Sequence, residues 1–267
     1  MIAIEAGIEP LADKLLGNQA LEPEHEAVAF VDTEAGFTDA KAVLDGAKQI
    51  LMERFAEHPE LSGSLRNYLW EEGVLQSRVV EGKENDAAKF RDYFDYDEPL
   101  KRVPSHRALA VFRGRKEAFL HSAIATPAAV ANADKTRAEI VPERAELMIA
   151  RTFGIADEGR AADRWLAEVV KWTWKIKLLT RLELDLLGQL RDSAEEEAIR
   201  VFAENMKAIL LASPAGSKVT MGLDPGLRTG VKVSLVDATG QYLEDTAIYP
   251  HAPKNQWDQS IAVLAAL

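Results

Sequence analysis

The chain has 267 residues, 47% of them apolar and 28% charged, a globular balance that argues against wholesale disorder and suits one large or two ordinary domains. Its 32 Lys and Arg stand against 43 Asp and Glu, a formal net charge of −11, which excludes a protein that coats nucleic acid by bulk charge. Cysteine is absent, excluding disulfides, thiol catalysis and Cys-ligated zinc and suiting a reducing, cytoplasmic setting. No apolar run approaches the roughly 18 residues of a membrane span, and the acidic start MIAIEAGIEP is unlike a signal peptide.

Up to about residue 214 the chain reads as helices, and after it as strands. Within 38–57, Ala42, Val43, Ala47, Ile50, Leu51, Met52 and Phe55 recur at helical spacing. Pro59 ends that helix or opens the next, which carries Leu61, Leu65, Tyr68 and Leu69 and stops at Gly73. Pro104 can open a short helix with Ala108, Leu109 and Phe112 inward and Gly114 as its stop. Residues 118–125 read as one short strand, and 122–137, rich in Ala, Thr, Asn and Pro, as a loop or connector. Pro142 starts a helix with Ala145, Met148, Ile149 and Phe153 inward and Gly154 as its stop.

The longest helical pattern spans 160–191, with Trp165, Val169, Trp172, Ile176, Leu179, Leu182 and Leu186 on its face. Ser193 and Glu196 then have capping-box spacing and predict a fresh start. That helix would place Ile199, Phe202, Met206, Ile209 and Leu210 on one face and end before a linker at 214–217. From Val219 the period falls to two. Strands at 219–224, 231–236 and 242–249, with turns at Pro225–Gly230 and Asp237–Gly240, predict a three-stranded antiparallel meander. A further helix starts near residue 254.

Asp224 is the first candidate for chemistry. It ends a strand on the face opposite Val219, Met221 and Leu223, and Gly222, Gly226 and Gly230 leave room beside it. A carboxylate so placed suits a metal- or phosphate-facing acid of a ribonuclease-H-like or resolvase-like site. The plainer reading is an Asp that starts a hairpin turn. The Gly222-x-Asp224-x-Gly226 spacing also permits an ATP phosphate loop of the sugar-kinase or actin-like kind. The second candidate is a run of cations free of Asp and Glu: Lys101, Arg102, Arg107, Arg113, Arg115 and Lys116. It reads either as a phosphate-contacting patch, to which Arg228 adds, or as a solvated basic face. Trp172 and Trp174, interleaved with Lys175 and Lys177, could stack bases but suit a helix core better. No two of the five His share the spacing of a helical metal clamp, and His251 follows the third strand toward the Asp224 edge.

At Asp224 the string MGLDPGLRTGVKVSLVDATG, followed by TAIYPH, resembles the start of the YqgF-type, RuvC-like domain of the bacterial Tex family of transcription accessory proteins. ILMERFAEHPEL, LRNYLW, GKENDAAKFRDYFDYDEPLKRVPSHRALAVFRGRKE, VVKWTWKIKLL and AEEEAIRVFAENMKAILLASPAG are similar to its helical part. The resemblance implies a mostly α protein: a multi-helical Tex N-terminal region at 1–213, then the beginning of an α/β ribonuclease-H-like domain at 218–267.

It further implies an internal piece of a longer protein. The function it implies is to scaffold the RuvC-like and downstream RNA-binding domains of a factor that binds RNA or DNA mainly outside this chain and meets the transcription machinery. The competing reading is a metal-dependent nuclease in which Asp224 is the first metal-binding carboxylate. A divalent metal enters only there, and one carboxylate cannot hold the two ions of such a site, so no cofactor and no nuclease activity are expected of this chain. Residues 218–267 are expected to be marginal in isolation, since the first strand lacks a partner on one edge.

Overall fold

The computed structural model describes residues 2–133, 140–213, 216–226 and 229–267. These form two compact units, Met1–Val201 and Phe202–Leu267. The architecture is mostly helical, with two three-stranded sheets.

In the first unit, α1 (Ile2–Glu5) precedes α2 (Glu9–Gly17), which buries Leu11, Ala12 and Leu15, and α3 (Pro23–Ala27). Helix α4 (Ala40–Ala56) starts where the Asp39 carboxylate accepts the Ala42 amide at 2.7 Å. Helix α5 (Pro59–Glu72) starts where His58 Nδ1 accepts the Leu61 amide at 3.2 Å. The apolar faces expected for both are buried except at half-buried Ala42, and the Phe55 ring stacks on Phe153 with centroids 3.8 Å apart.

Before residue 214 the structure adds two strands to the single one expected among the helices. Strands β1 (Val74–Val79), β2 (Asp95–Pro99) and β3 (Leu120–Ala125) form an antiparallel sheet in the order β2-β1-β3. Only β3 was expected. The sequence DYDEP has poor strand propensity, and what holds β2 is its neighbour. Arg78 of β1 grips Asp97 through two guanidinium nitrogens at 2.7 and 3.1 Å and reaches Asp95 at 3.2 Å. Hydrogen bonding from Arg78 holds the Asp97 carboxyl below its ordinary value despite partial burial. Glu183 caps the other side by accepting the Ile124 amide at 2.7 Å.

Helix α6 (Ser105–Lys116) follows Pro104. Gly114 is not its stop: it is a buried interior position where a Cβ would collide with the Leu120 side chain, so the glycine lets α6 lie against β3. Val111 is buried with Ala108, whereas Leu109 and Phe112 are only half-buried. The connector expected over 122–137 contains the end of β3 and α7 (Pro127–Ala131), capped by Thr126, while 134–139 lie outside the described residues. Helix α8 (Arg144–Thr152) begins two residues after the expected Pro142 start, with Glu143 as its cap, and ends before Gly154, whose φ of +65° turns the chain away.

A clip then joins distant segments. Buried Asp163 accepts the amides of Glu158 and Arg160 at 2.8 and 2.9 Å, and the Arg160 guanidinium bonds both Asp163 and Gln19. From Asp163 the chain is helical to Leu210: α9 (Asp163–Trp172), a π-helical turn (Thr173–Leu178) and α10 (Leu179–Leu210). The capping box at Ser193 does not cap. Leu186, Leu187, Leu190 and Ala194 carry the buried stripe through that position, so packing overrides the local signal. Beyond Ala194 the expected apolar face is solvent-exposed, and Trp172 is exposed too, whereas Trp174 is core.

In the second unit, β4 (Thr220–Gly226), β5 (Gly230–Val236) and β6 (Tyr242–Ile248) form the expected antiparallel meander, and α11 (Trp257–Ala266) follows. Asp237 organises the β5–β6 turn by accepting the Thr239 hydroxyl and amide and the Gln241 amide, which hold its carboxyl below the ordinary range. The apolar side chains buried among the described residues here are Val233, Leu235 and Ile248. Val219, Met221 and Leu223 all face solvent. Residues 214–215 of the expected linker lie outside the described residues.

Candidate nucleic-acid interface

The cations of 101–116 do not make one patch. Lys101 and Arg102 lie on a 3₁₀ turn (Leu100–Arg102) before α6, and Arg113, Arg115 and Lys116 lie on its last turn. At 1.5 Å per residue, the 12-residue α6 is about 18 Å long, and the two groups lie toward its opposite ends. The first group is partly neutralised: Lys101 Nζ bridges Glu71 at 2.7 Å. Between them, the Arg107 guanidinium lies 5.8 Å from the Tyr96 ring centroid, a cation–π distance.

The last turn of α6 is the more available end. Arg113 donates to Glu117 at 2.9 Å, and Lys89 bonds the same carboxylate, which both cations hold below its ordinary range, Lys89 foremost. Arg115 and Lys116 are exposed and make no ion pair with the described residues. Cations there also complement the negative end of the helix dipole.

Across from this turn runs α10. A groove of about 1040 Å³ lies between them, with Phe112, Arg113, Arg115 and Lys116 on one wall. Leu184, Gly188 and Arg191 line the other. Sequence reasoning missed this second wall. Arg191 lies 75 positions beyond Lys116, inside a helical pattern where a single cation carries no local signal.

Asp224 lies within β4 rather than at the turn, opposite Lys232 of β5. It is exposed. Next to it is a cavity of about 310 Å³ lined by Pro225, Gly226, Gly230, Tyr249, His251 and Lys254. His251 therefore does reach this end of the sheet. The Lys254 ammonium sits 3.5 Å from the Tyr249 ring centroid. Both glycines are needed here: a Cβ on Gly226 would strike Thr229, and Gly230 adopts φ +76° against Tyr249. Arg228 lies outside the described residues.

A two-metal centre needs several converging carboxylates. Among the described residues no group of His, Cys, Asp or Glu could hold a metal ion, and the residue facing Asp224 across the ladder is a cation. These residues do not fit such a centre. Among the described residues, no helix is long and apolar enough to cross a membrane.

Comparison with known proteins agrees with both units. Residues 18–202 match the Tex central region-like family model, and residues 218–267 match the Tex protein YqgF-like domain. Protein tex of Bordetella pertussis is 47% identical over 266 residues, covering 100% of this chain and 33% of that protein. Protein YhgF of Escherichia coli K12 is 52% identical over 251 residues, covering 94% and 32%. Transcriptional accessory protein Tex of Neisseria gonorrhoeae is 46% identical over 258 residues, covering 95% and 32%. The chain thus spans about a third of the length of these curated relatives. With a family model matched over more than half its length, the chain belongs to the Tex family.

Proposed function

We propose that this chain is part of a nucleic-acid-binding transcription accessory factor, and that its helical unit is the scaffold from which nucleic-acid-binding parts are held. One observation carries the reading: 46% identity, over 95% of this chain, to a relative named Transcriptional accessory protein Tex. On this reading RNA or DNA is bound mainly by portions beyond the matched third, and the transcription machinery is the protein partner. The chain works in the cytoplasm and needs no cofactor. Its own contact with nucleic acid is local, through the exposed cations of 101–116, because a net charge of −11 repels polyanions elsewhere.

The test is binding of a labelled RNA and a labelled DNA of equal length to the 267-residue chain, by anisotropy, at 50 and 200 mM salt. Weak binding at low salt that falls steeply at the higher salt is expected, with no metal-dependent cleavage by wild type or Asp224→Asn. No binding at low salt, or cleavage abolished by Asp224→Asn, overturns the reading.

A further inference from the structure

We propose that the outer edge of β2 is a docking site for an extended, basic segment of a partner protein, which adds to the first sheet as a fourth strand. The proposal goes beyond the nucleic-acid reading and does not depend on it.

The hydrogen-bond pattern shows which backbone groups are free. Strand β1 lies between β2 and β3. The Val79 amide donates to the Phe94 carbonyl at 3.1 Å, and the Leu100 amide donates to the Gly73 carbonyl at 2.8 Å. In an antiparallel pair the backbone groups alternate inward and outward along each strand. In this register Phe94, Tyr96 and Glu98 turn theirs to β1, whereas Asp95 and Asp97 turn their amides and carbonyls away from it. Those four outward groups have no hydrogen-bond partner among the described residues, and both aspartates are exposed.

The opposite edge of the sheet is different. The Val80 amide donates to the Phe119 carbonyl at 2.9 Å, so by the same alternation Leu120, Ser122 and Ile124 of β3 point outward. There Glu183 of α10 accepts the Ile124 amide at 2.7 Å. A side chain of the same unit thus occupies the β3 edge, while the β2 edge is open.

Charge selects the occupant. Asp92, Asp95, Asp97 and Glu98 fall within seven residues that hold no Lys or Arg. Arg78 engages Asp97 and touches Asp95, yet the Asp95 side chain stays 86% exposed, and Asp92 is exposed with no ion pair among the described residues. Acids along an open edge guard it against pairing with another copy, because two such edges would bring like charges together. A nucleic acid would be repelled for the same reason. A basic strand is an extended partner that these charges attract, while the free amides and carbonyls supply its ladder. Pro99, with no N–H to offer, ends the open stretch.

The probe is a fluorescein-labelled six-residue peptide of alternating lysine and valine. One control is the same peptide N-methylated at every residue, which keeps the charge and removes the ladder donors; the other alternates glutamate and valine. Anisotropy on the 267-residue chain at low salt is expected to show binding of the basic peptide, at least tenfold weaker binding of its N-methylated form, and none of the acidic peptide. Amide exchange followed by NMR should slow at Asp95 and Asp97 on binding and change little at Tyr96 and Glu98, which are already paired with β1. Asp95→Asn removes the charge and keeps the amide, and should weaken binding severalfold. Asp95→Pro removes both without taking a bond from β1, and should weaken it at least tenfold, with circular dichroism melts to confirm folding. Equal binding of the N-methylated peptide, slowing confined to other amides such as those of β4, or no binding of the basic peptide overturns the proposal. So does dimerisation in sedimentation velocity that slows the same two amides without peptide, which would make a second copy the occupant. Each of these failures leaves the nucleic-acid reading standing, since its own test uses RNA and DNA.

Discussion

The two units are held by different means. The first has a continuous core: Phe55, Leu65, Leu69, Leu166 and Trp174 are all buried within it. The second has three strands paired antiparallel, with one register shift between Leu235 and Val236, but the apolar side chains it buries among the described residues are three. Backbone pairing contributes little net stability when water is the competitor, whereas apolar burial is the dominant favourable term. A well-formed sheet and a stable one are therefore separate properties.

The sharpest way to break that comparison is native-state hydrogen exchange. Amides of β4 and β5 are expected to exchange orders of magnitude faster than those of α4 and α9, because local opening there exposes little apolar surface. Equal protection would mean that the meander is stabilised by something the burial pattern does not show. Residues 195–210, apolar on one face but unburied, belong with the fast set.

Point substitutions give a smaller effect of the same kind. Phe55→Ala removes a fully buried ring stacked on Phe153 and should cost about 3–5 kcal/mol in urea unfolding of the helical unit. Leu223→Ala, at a side chain more than half exposed, should stay within about 0.5 kcal/mol. Comparable losses at the two sites would erase the distinction.

Asp163 sharpens the comparison by pH. Burial opposes its ionisation, but the Arg160 and Glu158 amides and the Arg160 guanidinium outweigh that and hold the carboxyl below its ordinary value. A depressed folded-state value makes a contribution fully present above the unfolded value of about 3.9 and lost as pH falls through the folded one. Asp163→Asn should therefore lower the melting temperature at pH 7, with the gap to wild type closing below about pH 4. A gap that persists unchanged into acid would show that the carboxylate's charge contributes nothing.

How much was legible followed from where the controlling interactions lie. Helices α4, α5 and α8 and the meander could be read locally because their apolar periods, Pro starts and glycine stops are all near in sequence. Strand β2 could not, since Arg78 from another strand holds an acidic segment extended. Ser193 misled for the converse reason: a sound local signal lost to packing that continues on both sides of it. Of the candidate site, the α6 cations were visible as a run free of acids, and Asp224 as a strand residue among glycines. Their sorting into two groups, and the contribution of Arg191 and Gly188, depend on a helix folded back across the groove.

The uninterrupted passage through Ser193 has one more consequence. Helix α10 is 32 residues, about 48 Å of rod, yet no side chain after Ala194 is buried. The 16 residues after Ala194 would form little helix in isolation, because starting a helix is costly while extending one is cheap. Order in the outer half is thus inherited turn by turn from the leucine-packed inner half. A single proline at 193 would cut that inheritance and leave the remainder to start again alone.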